Sequence, residues 1–224
     1  MTEPRVVALV AANDEADAIA ATVRALASIP AVSTIVVADD GSRDETASRA
    51  AEAGASVLRS PRRRGKGAAL EAALERLPAP DVWLLADADL GTSAASLVPV
   101  LREVLEGRAD LAIAFPPHQA GGGFGLVRRF AGWGIHRASG FRAAAPLSGQ
   151  RACTARMLAA CRPLAVGFGV EAAMTVDAVR GGGRVVEVPA DVRHRATGRG
   201  PRGFLHRGRQ GLDIARALAG RMTR

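Results

Sequence analysis

Acidic side chains stand in pairs at two points in the first half of the chain, and each pair follows an apolar run. Asp87-Ala88-Asp89 closes the run Val82–Leu85. Carboxylates two apart on a turn offer hard oxygen donors to a divalent cation such as Mg²⁺ or Mn²⁺, and such ions are often completed by substrate phosphates. A cation there would neutralise charge developing on a departing diphosphate. The same aspartates would equally cap the turn or helix that follows, so the tripeptide alone leaves both roles open. Asp39-Asp40-Gly41-Ser42 follows a second run, Thr34–Val37. A carboxylate there could accept from a nucleobase imide or a ribose hydroxyl, while Ser42 and Asp44 read as helix caps.

Two more polar segments follow apolar runs. Asn13, Asp14 and Glu15 come after Val6–Val10, and Arg62-Arg63-Arg64-Gly65-Lys66-Gly67 comes after Ser56–Leu58. Free amides at a helix start favour anions, and Lys66 is a compact charge suited to phosphate. It is the only lysine among 30 cationic residues, so Arg62 and Arg63 read more simply as an exposed basic loop. The glycine turn of a dinucleotide-binding fold is absent after the first run, and so is a P-loop. An acidic opening at that point suits a base or ribose subsite better than a pyrophosphate.

The elements that must position these residues alternate in type. Strands are expected at Val6–Val10, Thr34–Val37, Ser56–Leu58, Val82–Leu85 and Leu111–Phe115. Helices are expected at Glu15–Ala27, Glu45–Ala53, Gly67–Leu77 and Ala94–Leu105. The strand runs lack polar alternation, as strands covered by helices on both faces do. That rhythm predicts an α/β fold with a doubly wound, mostly parallel sheet flanked by helices. In such a sheet ligands bind beyond the carboxyl ends of the strands, and all four polar segments follow strands. They should therefore converge on one crevice.

After Phe115 the rhythm breaks. The Pro116–Gly125 segment holds Pro-Pro and three successive glycines and reads as a loop, with His118–Gly125 a candidate lid. A helix is expected over Leu126–Ser139, a strand over Ser148–Cys153, and helices over Thr154–Cys161 and Val170–Val179. A strand over Arg184–Val188 follows, closed by Pro189. Arg193–Gly203 reads as an Arg/Gly loop and Phe204–Met222 as a basic amphipathic helix. The division expected is a single domain over 1–203, with a nucleotide-binding half at 1–115 and an acceptor half at 116–203. A tail helix would fill 204–224.

With 224 residues, 48% of them hydrophobic but only 4% aromatic, the chain is long enough to build an aliphatic core. A formal net charge of +8 favours anionic partners without choosing among them. The aromatics form no interleaved platform for single-stranded nucleic acid, so nucleic acid is not an expected partner. Cys153 and Cys161 fit neither a zinc spacing nor a disulfide framework and read as buried thiols in a reducing compartment. No leader and no membrane span is expected, so the location expected is the cytoplasm, with peripheral contact at the inner face of the membrane as a candidate. His194, Arg195 and Arg199, among other cations of the C-terminal region, are candidates for binding an acceptor phosphate or an anionic membrane surface.

Taken in order, the motifs resemble family 2 glycosyltransferases, especially the polyprenyl-phosphate sugar transferases. The matching set is Asn13-x-Glu15, Asp39-Asp40-Gly41-Ser42 with Asp44 and Thr46, Gly65-Lys66-Gly67, and Asp87-Ala88-Asp89-Leu90. It continues with Ser148-Gly149-Gln150-Arg151, Gly167-Phe168-Gly169-Val170-Glu171 and Val186-Glu187-Val188-Pro189. The resemblance implies a GT-A fold, a nucleotide-sugar donor and Mg²⁺ or Mn²⁺. By the same analogy Glu15 and Asp39 would contact the nucleoside, with Asn13 beside them. Asp87, Ala88 and Lys66 would lie near the donor, and Asp89 would ligate the metal. Gln150, Arg151 and Glu171 would face the reaction centre, Arg151 and Glu171 as catalytic residues, with Glu171 the candidate general base. Three positions depart from relatives: Ala11 and Ala12 stand where an aromatic is frequent, Gly91 where a glutamine is, and Gln150 where another aromatic is.

The activity expected is transfer of a hexose from a UDP- or GDP-sugar, with inversion, to a polyprenyl phosphate or another small acceptor. A retaining transferase acting on a small phosphorylated acid shares every donor-side feature. A nucleotidyltransferase would need a Gly-rich, Arg-bearing first loop in place of Ala11–Glu15, and a basic nucleic-acid-binding module would rest on charge alone.

Overall fold

A computed structural model describes residues 3–117, 125–193 and 212–221. The strands are β1 (Val6–Ala12), β2 (Val32–Asp39), β3 (Ser56–Arg59), β4 (Val82–Asp87), β5 (Leu111–Phe115), β6 (Arg151–Thr154) and β7 (Val185–Pro189). The helices are α1 (Ile19–Ala27), α2 (Thr46–Glu52), α3 (Lys66–Leu74), α4 (Val98–Leu105), α5 (Gly125–Ser139), α6 (Ala155–Ala160) and α7 (Val170–Arg180). The last described helix, α8, covers 212–221.

The strands form one sheet in the order β3-β2-β1-β4-β6-β5-β7. β1 pairs in parallel with β2 and β4, β2 with β3, and β5 with β7, whereas β6 runs antiparallel to both β4 and β5. The sheet is thus parallel except for β6. This reversal has a functional consequence. It brings the N-terminal end of β6, and the Ser148-Gly149-Gln150 segment leading into it, to the edge where the other strands end.

Side chains alternate between two cores. Val6, Ala8, Val10 and Ala12 of β1 pack on one face with Ile19, Val23 and Leu26 of α1 and Leu97 and Leu101. Val7 and Leu9 pack on the other with Leu70 and Leu74 of α3, Met157 and Met174. Both faces are covered, which is why the strand sequences show no polar alternation. A third cluster joins Ala131 and Ile135 of α5, Ala172 and Val176 of α7, and Ile214 and Leu218 of α8. Residues 212–221 of the tail are therefore packed on the body of the protein through Ile214 and Leu218.

Several boundaries differ from expectation. α1 starts at Ile19, not at Glu15, because the backbone before it is tied to the next strand end. Asp14 has φ 57°, and the amides of Asp14, Glu15 and Ala16 donate to Ser42 Oγ, Thr46 Oγ1 and Asp44 Oδ2 at 3.0, 2.8 and 3.1 Å. The helix expected from Ala94 begins as a 3₁₀ stretch, Ala88–Leu97, broken at Gly91, and becomes α-helical at Val98 with Pro99 in its first turn, where the missing N–H costs nothing. β6 begins at Arg151, three residues later than expected. The candidate lid lies almost wholly outside the described residues, as do 194–211.

Candidate active site

The site is built on the carboxyl ends of the strands. β4 ends at Asp87, whose carboxylate lies part-buried between two partners. Lys66 Nζ donates to Asp87 Oδ1 at 2.5 Å, and Gln150 Nε2 donates to Asp87 Oδ2 at 2.6 Å. The same ammonium donates to Glu171 Oε1 at 2.6 Å. Lys66 opens α3, Gln150 precedes β6, and Glu171 lies in the first turn of α7. Four distant stretches of chain thus meet around one ammonium. Burial alone would favour the neutral amine, but the two carboxylates outweigh it and hold Lys66 protonated above its ordinary range.

Close packing is what allows this meeting. A Cβ on Gly67 would stand 1.9 Å from the carbonyl oxygen of Ala165, and one on Gly149 would stand 2.4 Å from Lys66 Nζ and 2.5 Å from Asp87 Oδ2. A side chain at Gly67 would strike backbone, and one at Gly149 would displace the ends of Lys66 and Asp87. Gly67 lets α3 lie against the segment that leads into α7, and Gly149 leaves the space that the Lys66–Asp87 pair fills.

Beneath this layer Arg151 is 1% exposed. Its Nε donates to the Ser148 carbonyl at 2.8 Å, and one terminal nitrogen donates to Thr175 Oγ1 at 3.0 Å. Thr175 in turn donates to the Glu171 carbonyl at 3.0 Å. The other terminal nitrogen, Nη2, has no hydrogen-bond partner among the described residues. A cavity of about 10 Å³ is lined in part by Lys66, Gly149, Arg151 and Glu171, about the space one water needs. Desolvation lowers the pKa of this guanidinium while Glu171 favours its charged form. Arg151 therefore acts on the site from below, by fixing the 148–150 turn and the first turn of α7.

The metal candidate Asp89 lies two residues past Asp87, half-buried, in the first turn of the 3₁₀ stretch. That turn is pinned by a residue the sequence did not single out. Thr22 of α1, fully buried, donates to the Ala88 carbonyl at 2.7 Å and accepts from the Gly91 amide at 2.8 Å. Among the described residues no group of three or more His, Cys, Asp or Glu side chains could hold a metal by itself. That donor chemistry fits Mg²⁺ or Mn²⁺ bound through one carboxylate and completed by substrate oxygens, not an all-protein cage.

Past the ends of β1, β2 and β3 lies an open groove of about 880 Å³, within the range of small-ligand sites. Asn13, Asp14, Ser42, Arg43, Arg59 and Arg62 are among the residues that line it. Asn13 is held by its own side chain, whose Nδ2 donates to the Asp40 carbonyl at 3.1 Å. Of the two other nucleoside candidates, Glu15 is half-buried and Asp39 fully buried, and neither lines the groove. Asp39 Oδ1 accepts from the amide and hydroxyl of Ser42, and Oδ2 lies 3.2 Å from Arg59 Nε. Asp40 accepts from the amides of Arg64 and Gly65, both at 2.7 Å. The Asp39-Asp40 pair thus shapes the groove by holding the β2–α2 turn and the loop before α3.

The structure therefore brings Lys66, Asp87, Gln150, Arg151 and Glu171 together, sets Ala88 and Asp89 beside them, and places Asn13 in the groove. His194, Arg195 and Arg199 lie outside the described residues. Sequence reasoning missed Thr22 and Thr175, which look like ordinary helix residues. It also missed the packing role of Glu187, whose carboxylate accepts from the amides of Ala144 and Ala145 at 2.8 and 2.7 Å and so steers the chain toward Ser148.

Comparison with known proteins places this geometry in context. The family model described as "Glycosyl transferase family 2" matches residues 7–158. No curated protein matches the sequence. Among solved structures, glucosyl-3-phosphoglycerate synthase from Mycobacterium tuberculosis in complex with phosphoglyceric acid is similar at 26% identity and a TM-score of 0.84, over 98% of this chain and 80% of that one. The same enzyme with Mn²⁺, UDP-glucose and phosphoglyceric acid gives 25% identity and a TM-score of 0.83 over the same shares. Its complex with UDP gives 26% and 0.79, again over 98% and 80%.

Proposed function

The chain belongs to glycosyl transferase family 2 and is a glycosyltransferase with a GT-A fold, and on that premise we propose that it moves a hexose from a UDP-sugar to the hydroxyl of a small phosphorylated acid, assisted by Mn²⁺ or Mg²⁺. The observation that carries this reading is the Lys66–Asp87–Glu171–Gln150 network at the carboxyl edge of the sheet, in a chain that also carries a basic groove on its β1, β2 and β3 strand ends. It sits in a fold that matches, over 98% of this chain, a synthase captured with UDP-glucose, Mn²⁺ and phosphoglyceric acid. The groove suits the nucleoside diphosphate. Arg43, Arg59 and Arg62 on its walls attract the phosphates, and Asn13 offers a positioned amide.

Asp89 would hold the divalent ion, which when bound neutralises charge on the departing diphosphate. Lys66 holds Asp87 and Glu171 in one geometry, so that Asp87 presents a rigid acceptor to donor hydroxyls. Gln150, in place of an aromatic, adds a second anchor on Asp87 and leaves its carbonyl side available to ligand or to Ser148, whose hydroxyl lies 3.2 Å from Gln150 Oε1. Glu171 is the group placed to orient an acceptor hydroxyl and take its proton. A lipid-phosphate acceptor, the class suggested by the polyprenyl-phosphate relatives, needs no such base.

The test is direct. Purified protein is incubated with UDP-glucose, Mn²⁺ and 3-phosphoglycerate, and products are read by mass spectrometry with the anomeric configuration read by NMR. The expected product is a glucosylated phosphoglycerate, formed with Mn²⁺ and absent in Asp89→Ala. Transfer only to a polyprenyl phosphate overturns the acceptor class, and failure to bind any UDP-sugar in the presence of metal overturns the donor.

A further inference from the structure

The side of α5 opposite the protein core is apolar and cationic at once. Its inner side buries Ala131, Gly134, Ile135 and Ala138. Its outer side carries Leu126, Phe130 and Trp133 at 80, 39 and 57% exposure. These lie at i, i+4 and i+7, a single stripe on a helix. Phe130 and Trp133 are stacked, with ring centroids 6.1 Å apart, so they form one ridge. Arg129, His136 and Arg137 are exposed on the same side, since at 100° per residue they fall within the arc the three apolar side chains span or just beside it. The helix Gly125–Ser139 contains no Asp or Glu. Large apolar side chains gathered on a surface mark an interaction site more often than solitary ones do.

We infer that this side of α5 docks on an anionic lipid surface, with Leu126, Phe130 and Trp133 entering the headgroup boundary and Arg129 and Arg137 pairing with lipid phosphates. Charge selects this occupant. A second copy of the chain set on the same ridge by a two-fold axis would face arginines against arginines, whereas an anionic bilayer meets both the cations and the apolar ridge. Tryptophan and arginine are also the side chains that tolerate a boundary with one wet and one apolar side. The site's own geometry agrees, because α5 is the element next in the chain after the carboxyl end of β5, on the catalytic edge of the sheet. Docking there would hold the crevice near the membrane surface whatever the acceptor, so the inference does not rest on the acceptor proposed above.

The two tryptophans make the test clean, since Trp83 is 3% exposed in the core on one face of the sheet and only Trp133 can change environment on docking. The protein is titrated with phosphatidylcholine vesicles with and without phosphatidylglycerol, and read by tryptophan emission and co-sedimentation. Expected are a blue shift and sedimentation with the anionic vesicles only, both reversed by salt. Trp133→Ser should remove the shift and weaken sedimentation while Trp83 emission reports an intact fold. Arg129→Gln with Arg137→Gln should weaken partition about thirtyfold, roughly fivefold for each charge removed from the surface. Failure to bind either vesicle overturns the inference, as does equal binding by the variants. So does a concentration-dependent dimer in the absence of lipid that Trp133→Ser abolishes, since the ridge would then be a contact between copies.

Discussion

Replacing Gly149 by alanine tests whether the Lys66 network, and not merely the fold around it, governs turnover. The new Cβ would stand 2.4 Å from Lys66 Nζ, 2.5 Å from Asp87 Oδ2 and 2.9 Å from Asp87 Oδ1, where ordinary contact begins at 3.4 Å. Both groups must therefore retreat by about 1 Å, and the 2.5 and 2.6 Å bonds from Lys66 cannot both survive that shift. A misplacement of about 1 Å in a catalytic constellation costs on the order of 100-fold in rate. The fold should tolerate the change. Gly149 has no left-handed φ, so the loss is confined to one or two charge-assisted hydrogen bonds, about 1.5–3 kcal/mol each, or a fall in Tm of roughly 3–12 °C per bond for a chain of this size. Turnover with UDP-glucose and acceptor should thus collapse in a protein that still folds. Gly134→Ala is the control: its Cβ would press on Leu218 Cδ1 at 2.4 Å in the α5–α8 cluster, lowering Tm without a selective loss of turnover. A Gly149→Ala enzyme that keeps its turnover within about twofold, a change too small for any 1 Å displacement, would refute the role assigned to the network.

Thr22→Val keeps the shape of a buried side chain but strands the Ala88 carbonyl and the Gly91 amide. The cost should be about 1–3 kcal/mol, visible in thermal unfolding, together with a higher metal concentration for half-maximal turnover because the Asp89 turn loosens. Asp44 is exposed, and although burial by itself would raise its pKa, hydrogen bonds from the Thr46 hydroxyl and from the amides of Ala16 and Thr46 bring it below 3.8. Its stabilising effect is therefore present above pH 3.8 and is lost as the pH falls through the lower native value. The stability gap between wild type and Asp44→Asn, measured by denaturant titration across pH, should accordingly close on the acid side. Both cysteines are free and buried. Burial pushes the Cys161 thiol up to about 12, helped by Asp177, and pushes Cys153 up as well. Neither should react with a thiol reagent in the native protein at mildly alkaline pH, and both should react once it is unfolded.

The family assignment shows how different roles can hide in one motif. Within Asp39-Asp40-Gly41-Ser42 and Gly65-Lys66-Gly67, Asp39 and Lys66 are the residues expected to face ligand, and Ser42 reads as a cap. In the structure Asp39, Asp40 and Ser42 bond chiefly to one another's loops, and Gly67 makes room for Ala165, so these residues shape the groove and position Lys66. A catalytic loop has to be held before it can hold anything else, and short polar side chains beside a sharp turn are well suited to that work.

The strand positions, the α/β class and the edge at which chemistry occurs are all written locally. Apolar runs of strand length alternating with helix-length stretches specify a sheet covered on both faces, and a parallel sheet places its ligands at its carboxyl ends. That is why the polar segments after β1, β2, β3 and β4 could be assigned to one edge of the sheet from spacing alone. What spacing does not carry is which of these groups touch. Lys66 meets Glu171 across 105 residues and Gln150 meets Asp87 across 63, and the second contact exists because β6 is reversed between β4 and β5. Strand direction within a sheet depends on pairing partners far apart in sequence, and no local periodicity records it. The same holds for Thr22 and Thr175. A threonine in a helix gives no sign of its partner until tertiary packing sets it 2.7 Å from the Ala88 carbonyl or 3.0 Å from Arg151. Local sequence determined the edge; long-range pairing, driven by burial of two cores at once, decided which side chains share it.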